Sequence, residues 1–374
     1  MALLCAQFQH DLIPQAHPQE EDAQLARDLI AFRGGMFKLF QEKIDAILAA
    51  HPGETDTNKR YAQVRKALDA CPEVKAVHAQ RGVLQDRLWA KAKSDIDRDR
   101  QRLEAAYQTH DTGIGRLDLD PNLVLPAHQL KAEIHRMPGG YLTVDPSSFI
   151  SGTVYDHGTF LYGRGWLGPL NDELGQTLIH NVLKRQYPDP QPQKILDLGC
   201  AVGHSTLPYA AAYPKAQVWG VDVSAPLLRQ AIARARSLNV AIDFVQQNAE
   251  STGFADGSFD LVVSHILLHE IPNVARRRVF AESYRLLKPG GVMVHLESQM
   301  FLQPATLLAR YFRDTEVWAN SEPYLGSSKF EDFTTYALEA GFAPEAFHIQ
   351  PVPGYYAAKS GDDTARWLTF CGVK

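Results

Sequence analysis

The stretch from Lys194 to Asp222 reads as a buried strand, a glycine turn, a helix and a second strand that ends in an acid. The short apolar run 194–198 is bounded by a polar loop and by Gly199, which is typical of a strand inside a parallel sheet. Gly199 and Gly203 allow a sharp turn and leave room for a ligand against the main chain. An acid about 20 residues after such a turn can accept hydrogen bonds from both hydroxyls of a ribose. The stretch therefore predicts a nucleoside site.

The spacing of the glycines indicates which nucleoside is bound. A dinucleotide site needs the pattern G-x-G-x-x-G, in which close glycines admit a pyrophosphate. Residues 197–203 read DLGCAVG, so a nicotinamide-dependent dehydrogenase is only a minor alternative. The turn resembles D-x-G-x-G-x-G, the first motif of the class I S-adenosylmethionine-dependent methyltransferases, with Ala201 in place of the middle glycine.

Later motifs extend this resemblance from about Pro192 to Glu297. Residues 254–260, FADGSFD, are similar to the family's entry into its fourth strand. Residues 288–291, KPGG, precede a valine-rich run, as in the group that resembles the ubiquinone/menaquinone C-methyltransferases. Residues 248–249, Asn-Ala, stand where the family usually has Asp-Ala. In the style of its motifs, the chain resembles that group of class I methyltransferases most.

The resemblance implies an α/β fold, a doubly wound, Rossmann-like sheet of seven strands with the last strand antiparallel. It also implies that S-adenosyl-L-methionine binds over the ends of the first three strands. The residues that it places at the cofactor are Asp197, Gly199, Cys200, Ala201 and Gly203 in the turn, Asp222 on the ribose, Val223 on the adenine face, Asn248 and Ala249 at the adenine edge, and Ser264 through its backbone.

Glycine, proline and aromatic residues replace any regular pattern between about Thr109 and Leu174. A connection of this length without regular structure is usually functional in a compact protein. In resembling families the segment before the first motif often wraps the methionine end of the cofactor, where aromatic faces suit a sulfonium cation. We therefore expect Tyr155 or Tyr162 at the cofactor, the alternative being that such aromatics only pack linker against sheet. Further candidates for the pocket wall are Tyr141, His157, Arg164 and Trp166.

The stretch SHILLHEI, residues 264–271, carries the candidate catalytic groups. Because the ends of parallel strands open onto the ligand crevice, His269 is predicted to act on the substrate as a general base, with His265 or Glu270 behind it. The alternative is a core histidine bonded to a backbone carbonyl. A metal site is not expected, because it needs a third ligand and the nearest donors along the chain are His295 and Glu297.

Helical periodicity dominates the first part of the chain. Apolar residues recur at helical spacing over about 22–50, 58–68 and 73–107. They predict an α-helical accessory or cap domain at 1–135, followed by a pocket-lining connection at 136–185 and a methyltransferase domain at 186–374. The helical domain is expected either to cover the pocket or to form the interface of a homodimer.

The net charge of −5 argues against nucleic acid as a partner, because such partners require a basic surface. The four cysteines show no C-x-x-C and no metal-knuckle spacing, which is typical of reduced thiols in a cytosol. The first residues lack the pattern of a signal peptide, and no run approaches the ~18 apolar residues of a membrane span. We therefore expect a cytoplasmic protein that binds neither nucleic acid nor membrane.

These observations predict methyl transfer from S-adenosyl-L-methionine to a small-molecule acceptor by in-line displacement. The chain lacks the Asn/Asp-Pro-Pro-Tyr tetrapeptide that the amino methyltransferases of adenine and glutamine use, which favours a small molecule. Two alternatives stay open. One is a cofactor-binding enzyme or regulator that does not methylate, and the other is a methyltransferase that acts on protein or nucleic acid.

Overall fold

The computed structural model describes residues 10–15, 20–142, 148–163, 165–188, 191–301 and 306–374. Its strands are β1 Arg116–Asp118, β2 Lys194–Leu198, β3 Gln217–Asp222, β4 Asp243–Gln246, β5 Phe259–His265, β6 Leu287–Ser298, β7 Phe347–Pro353 and β8 Ala365–Val373. Its α-helices are α1 Glu20–Ala50, α2 Thr57–Ala70, α3 Pro72–Thr109, α4 Ile150–Gly163, α5 Glu173–Thr177, α6 Lys184–Gln186, α7 Leu207–Ala212, α8 Ala225–Ser237, α9 Asn273–Leu286, α10 Leu307–Ala319, α11 Phe333–Ala340 and α12 Tyr355–Lys359. A π-helical stretch, Leu178–Leu183, joins α5 to α6.

The strands of the described residues form one mixed sheet in the order β1-β4-β3-β2-β5-β6-β8-β7. Neighbouring strands from β1 to β6 are parallel, whereas β8 runs antiparallel to both β6 and β7. In the register, Leu198 stands between Val221 of β3 and Ser264 of β5, so the carboxyl ends of these three strands lie at one edge. The predicted fold class, a doubly wound sheet with an antiparallel last strand after a helical region, is confirmed. The short edge strand β1 adds an eighth strand to the seven expected.

The two faces of the sheet are covered by separate apolar layers. On one face Ile195 and Val263 pack with Leu178 of the π-helical stretch and with Leu228 of α8. On the other face Leu196 and Val262 pack with α9 and α11. Strand β2 is buried from its second residue to its last, which is why it reads as a continuous apolar run and not as an alternating one.

The helical region forms from strong local signals. The Asp56 side chain caps α2 by accepting hydrogen bonds from the amides of Asn58 and Lys59, at 2.9 and 2.8 Å. Pro72 occupies the first turn of α3, where its missing N–H has no intrahelical partner to lose. The predicted helical segments are confirmed as α1, α2 and α3. Their apolar faces pack together and against Tyr311 and Phe312 of α10, which ties the region to the sheet domain.

The prediction that the whole connection from Thr109 to Leu174 lacks regular structure is wrong, because it contains β1 and α4. Helix α4 carries glycines that read locally as loop residues. They serve close packing instead, since a Cβ on Gly152 would lie 2.5 Å from Gln230 Cβ and one on Gly158 would lie 2.2 Å from the Trp89 ring. Helix α4 therefore sits tightly between α3 and α8.

Within the described ranges, no helix combines the length and the apolar content that crossing a bilayer demands.

The close contact at Gly158 predicts a sensitive position. Gly158→Ala should lower the free energy of unfolding by about 1–3 kcal/mol, because the added methyl overlaps the Trp89 ring. Urea unfolding followed by circular dichroism measures this change. The matched control is Gly34→Ala on α1, where no atom of the described residues outside the local backbone of the helix lies within 4 Å of the new Cβ. The control should be neutral or stabilising by up to about 1 kcal/mol, and equal losses in both variants would contradict the packing.

Candidate active site

A cavity of about 360 Å³ opens at the carboxyl ends of β2, β3 and β5. Its size is within the usual range for small-molecule sites. One wall comes from the turn after β2 and from the residues that follow β3 and β4. The rest of the wall comes from the end of β5, from α4 and from the segment before α4. Arg33 of α1 and Trp89 of α3 also line the cavity, so the helical region contributes to its wall.

The turn after β2 is held against the end of β3 by its own amides. The N–H groups of Gly199 and Cys200 donate to Val221 O at 2.8 and 2.9 Å. Gly199, Ala201 and Gly203 have φ of +72°, +47° and +77°. Ala201 therefore adopts a left-handed backbone that disfavours any side chain. Its conformation is fixed because its N–H donates to Asp222 Oδ2 at 2.9 Å.

Asp222 is the acid of this wall. Its Oδ1 accepts from the Ser224 N–H at 2.9 Å, and Ser224 in turn caps α8. Burial, together with the nearby charge of Asp197, raises the pKa of Asp222 to about 6, although the backbone N–H donors oppose the shift. At neutral pH the carboxylate is ionised and faces the cavity, where it can accept from hydroxyl groups.

Asn248, Val223 and Ala249 line the same wall beyond Asp222. Asn248 Oδ1 accepts from the Glu250 N–H at 3.0 Å, which orients the side chain. Asp197 also lies at the cavity, where its Oδ2 accepts from the Thr206 hydroxyl at 2.6 Å. The structure thus brings most of the predicted cofactor residues together along one wall.

Gly203 and Ser264 are predicted cofactor residues that do not form the cavity wall. A Cβ on Gly203 would lie 2.9 Å from Leu207 Cδ1 and 3.1 Å from Phe244 Cζ, so this glycine packs into the core. The Ser264 hydroxyl is fully buried and lies 2.7 Å from His295 Nδ1. Both residues therefore pack in the core next to the cavity and do not line it.

Of the residues of the connection that were predicted to line the pocket, some line the cavity and others do not. Tyr141, Tyr155, Tyr162 and Trp166 line the cavity. The Tyr155 ring stacks on the His204 ring with centroids 6.1 Å apart and meets the Tyr141 ring edge-on. His157 turns away and pairs with Asp95 of α3 at 3.0 Å. Arg164 lies outside the described residues.

His269 stands on a short 3-10 turn, Leu268–Glu270, directly after β5. Its Nδ1 lies 2.7 Å from Glu297 Oε2 at the end of β6, and the other oxygen of Glu297 accepts from the Leu268 N–H at 2.6 Å. Its Nε2 lies 3.4 Å from Glu270 Oε1. Glu297 therefore fixes both the turn and the imidazole, and the ring edge with Nε2 faces Glu270.

His265 does not stand behind His269, contrary to the first of the two arrangements predicted. Ile266 has φ of +50°, which turns the chain and separates the two histidines. His265 Nδ1 lies 3.1 Å from Asp197 Oδ1, and its Nε2 lies 3.1 Å from the Tyr209 hydroxyl. His265 therefore supports the acid of the first motif, while Glu270 is the partner that stands beside His269.

His135, which precedes α4 in the chain, was missed by the sequence reasoning. Its Nε2 lies 3.0 Å from Glu270 Oε1, and the Tyr141 hydroxyl donates to the same oxygen at 2.8 Å. On its other side Nδ1 lies 3.3 Å from Glu322 Oε1. His135 has no motif around it that could have shown this, because its partners come from the turn after β5 and from the segment after α10. His295, which the sequence offered as a possible metal ligand, is buried and contacts Ser264 and Ser283.

The electrostatics of this group are strongly coupled. Burial opposes a charge on His269, but the carboxylates of Glu297 and Glu270 outweigh it and hold the pKa of His269 well above its usual value. Burial likewise opposes a charge on Glu270, yet His135 and His269 hold the pKa of that carboxyl well below its usual range. The raised pKa favours the form of His269 that is protonated on both ring nitrogens. Action as a general base would require the loss of one of these protons first.

Comparison with known proteins connects this geometry to a family. Residues 195–291 match a family described as a methyltransferase domain. A ubiquinone/menaquinone biosynthesis C-methyltransferase, UbiE, of Syntrophotalea carbinolica is 38% identical over 122 residues, which are 32% of this chain and 49% of the relative. Residues 195–291 are therefore similar to the methyltransferase domain of the class I S-adenosylmethionine-dependent methyltransferases. The cofactor of this chain is S-adenosyl-L-methionine.

Other relatives match the chain over similar stretches. UbiE of Desulfotalea psychrophila is 36% identical over 168 residues, 44% of this chain and 63% of the relative. An uncharacterized methyltransferase of Synechocystis sp. is 29% identical over 180 residues, 45% of this chain and 82% of the relative. The matched stretches cover from 19% to 82% of the relatives' own lengths. Among solved structures, phosphoethanolamine N-methyltransferase 2 of Haemonchus contortus, in complex with S-adenosyl-L-methionine, aligns with a TM-score of 0.40 and 19% identity over 55% of this chain and 57% of that chain.

The raised pKa of Asp222 predicts a pH dependence of cofactor binding. Only the carboxylate can accept hydrogen bonds from both ribose hydroxyls, so affinity should be constant well above the pKa of about 6 and should fall with decreasing pH below it. The fall should approach tenfold per pH unit on the acid side. Calorimetry with S-adenosylhomocysteine across this range measures it. In Asp222→Asn, affinity should be lower at all pH values and should not fall further below pH 6. If affinity still falls near this pH in the variant, the titrating group is not Asp222.

The left-handed backbone of Ala201 predicts an unusual gain from glycine. Ala201→Gly should raise the free energy of unfolding by up to about 1 kcal/mol, because glycine adopts this conformation without strain. It should also tighten the binding of S-adenosylhomocysteine, because it removes a methyl group from the cavity wall. The control is Ala249→Gly on the same wall, which has no left-handed backbone and should lose stability. A loss of stability in both variants would argue against strain at Ala201.

Proposed function

We propose that this protein transfers a methyl group from S-adenosylmethionine to a small-molecule acceptor by in-line displacement. The observation that carries the proposal is a cavity with two different walls. One wall, the cofactor wall, holds the first-motif turn and the Asp222 carboxylate. The other, the acceptor wall, holds Glu270 with two histidines, His135 and His269, and a tyrosine, Tyr141. Such a division suits a cofactor on one side and a nucleophile on the other.

The cofactor wall fits S-adenosylmethionine in its chemistry. Asp222 provides an ionised acceptor for the ribose, and Val223 and Ala249 provide apolar contacts beside Asn248 for the adenine. When bound, the cofactor supplies a methyl group on a sulfonium, so the acceptor displaces a neutral thioether. The aromatic rings of Tyr141 and Tyr155 line the cavity, and aromatic rings suit a bound cation.

The protein's own contribution is mainly alignment and exclusion of water, because the leaving group needs no acid. Trp89 and Arg33 from the helical region close part of the cavity. Glu270, His269 and His135 present polar atoms on the acceptor wall, where they would bind a polar group of the acceptor and orient it. If the nucleophile carries a proton, this group is also where that proton would go.

A small-molecule acceptor is supported by the size of the cavity, about 360 Å³, and by its partial closure by helices. Two relatives are named as methyltransferases of ubiquinone and menaquinone biosynthesis, which are routes to small molecules. Another relative, of Legionella pneumophila, is named malonyl-[acyl-carrier protein] O-methyltransferase and is 30% identical over 161 residues. An acceptor attached to a carrier protein is therefore the form of macromolecular substrate that merits testing.

A second candidate is a protein that binds S-adenosylmethionine without methylating. It is favoured by two departures from the family motifs, Ala201 and Asn248, both on the cofactor wall. The two functions differ in whether S-adenosylhomocysteine and a methylated acceptor are formed. Purified protein should be incubated with methyl-labelled S-adenosylmethionine and a panel of phenols, quinols, thiols and amines. Release of S-adenosylhomocysteine with a labelled acceptor supports methyl transfer, whereas tight binding of the cofactor with no product from any acceptor class supports the alternative.

The acceptor wall predicts a separation of binding from turnover. His269→Ala should lower turnover by ~10²-fold or more, because the acceptor loses the group that orients it or handles its proton. Affinity for S-adenosylhomocysteine should stay within a few-fold of wild type, since His269 pairs with Glu297 and Glu270 and not with the predicted cofactor residues. Initial rates and calorimetry measure the two effects. An unchanged turnover rate in His269→Ala would show that the role of His269 is structural.

A further inference from the structure

We propose that His135, His269 and Glu270 bind one divalent transition-metal ion on the acceptor wall of the cavity. One ligand atom from each of these residues lies within 4.8 Å of the other two. The residues come from two distant parts of the chain, the segment before α4 and the turn after β5. Their convergence at one wall of a cavity is the first reason to assign a function to the group.

The distances within the group are close to those of a coordination sphere. Nitrogen or oxygen ligands stand 2.0–2.2 Å from a tetrahedral Zn²⁺, so they lie roughly 3.3–3.5 Å from each other. His135 Nε2 and Glu270 Oε1 are 3.0 Å apart, and His269 Nε2 and Glu270 Oε1 are 3.4 Å apart. Small rotations of these side chains would place all three ligands around one cation.

Both histidines have carboxylates behind them. Metal-bound histidines usually donate their second N–H to a carboxylate, which sets the tautomer and directs the other nitrogen toward the metal. Glu297 Oε2 lies 2.7 Å from Nδ1 of His269. Glu322 Oε1 lies 3.3 Å from Nδ1 of His135, and Asn320 Nδ2 both approaches that nitrogen at 3.1 Å and donates to Glu322. This arrangement leaves both Nε2 atoms directed at Glu270.

The two oxygens of the Glu270 carboxylate differ in their number of polar partners. Its Oε1 is approached by Tyr141, His135 and His269 together, at 2.8, 3.0 and 3.4 Å. Its Oε2 is buried and has no hydrogen-bond partner among the described residues. A buried carboxylate oxygen without a hydrogen-bond partner lowers the stability of the folded state, and a bound cation would offset this loss. It would also offset the negative charge of three buried glutamates that face only two histidines.

The loop that presents His135 is strained. His135 and Arg136 have φ of +57° and +55°, and such left-handed conformations cost about 1–2 kcal/mol for each non-glycine residue. The loop is held there by the Trp89 indole, which donates to His135 O at 2.9 Å. Arg136 also makes a bidentate pair with Asp86 at 2.8 and 2.7 Å. Strain that neighbouring contacts enforce in this way is typical of functional sites.

The ligand types select the metal. Two imidazole nitrogens with one carboxylate suit Zn²⁺, Co²⁺, Mn²⁺ or Fe²⁺ and disfavour Mg²⁺ and Ca²⁺, which prefer oxygen. Three protein ligands leave at least one position open, and His269 and Glu270 face the cavity. In a further step that rests on the proposed methyl transfer, this open position would hold the ionised oxygen or sulfur of the acceptor. Metal binding itself does not depend on that step.

Titration of the chelator-treated full-length protein with Co²⁺ and with Zn²⁺ tests the site. We expect one tightly bound equivalent and the intense visible absorption that Co²⁺ shows at low coordination number, bleached when Zn²⁺ displaces it. His269→Ala and Glu270→Gln should each weaken binding by at least ~10-fold, and Glu297→Gln, which changes a partner of His269 and none of the three ligands, by ~10–100-fold. The matched control is His157→Ala, since His157 pairs with Asp95 away from the cavity; its binding should equal wild type.

Two results would overturn the proposal. They are a wild-type protein that binds S-adenosylhomocysteine normally but takes up no Co²⁺ or Zn²⁺, and one equivalent of metal that survives His269→Ala. Should His269→Ala fail to fold, His135→Gln provides the same test from the loop. Failure of methyl transfer alone leaves this measurement intact, because metal uptake is read by absorbance and calorimetry without any acceptor. Loss of activity on chelation, with cofactor affinity unchanged, would link the metal to the acceptor.

Discussion

The hydrogen bonds between the turn after β2 and the end of β3 determine where the cavity forms. Two consecutive amides of the turn, those of Gly199 and Cys200, share the carbonyl of Val221, and the next amide binds the Asp222 carboxylate. These bonds bend the chain back across the sheet edge and leave main chain exposed where a bulkier turn would fill the space. They also point the acid of β3 into the same space. One local constraint therefore creates both the surface and the polar group that a nucleoside requires.

The opposite wall is built on a different principle, a buried network of charges. Taking several glutamates and histidines out of water is unfavourable unless each charge has a partner. Here β6 supplies Glu297, the segment after α10 supplies Glu322, and the strained loop before α4 supplies His135. The helical region takes part indirectly, since Trp89 of α3 fixes the main chain of that loop. The accessory helices thus stabilise the acceptor wall as well as contributing two residues to the lining of the cavity.

The sequence predicted the elements whose signals are local. The periodic helices α1 to α3, the strands around the glycine turn and the position of Asp222 all depend on neighbours within a few residues. Helix α4 was missed because Gly152 and Gly158 break the local pattern for the sake of contacts with α8 and α3. His135 was missed for a related reason. Its partner Glu270 lies 135 residues later, and only the folded chain brings the two together.

This contrast follows from how the two walls originate along the chain. The cofactor wall lies within residues 195–291, which match the methyltransferase family. The acceptor wall draws His135 and Tyr141 from before that range and Glu297 and Glu322 from after it. A cofactor shared by a family can be recognised by one continuous segment, whereas an acceptor is recognised by side chains that surround that segment. The chemistry that distinguishes this protein from its relatives is therefore to be sought in the flanking residues that converge on Glu270.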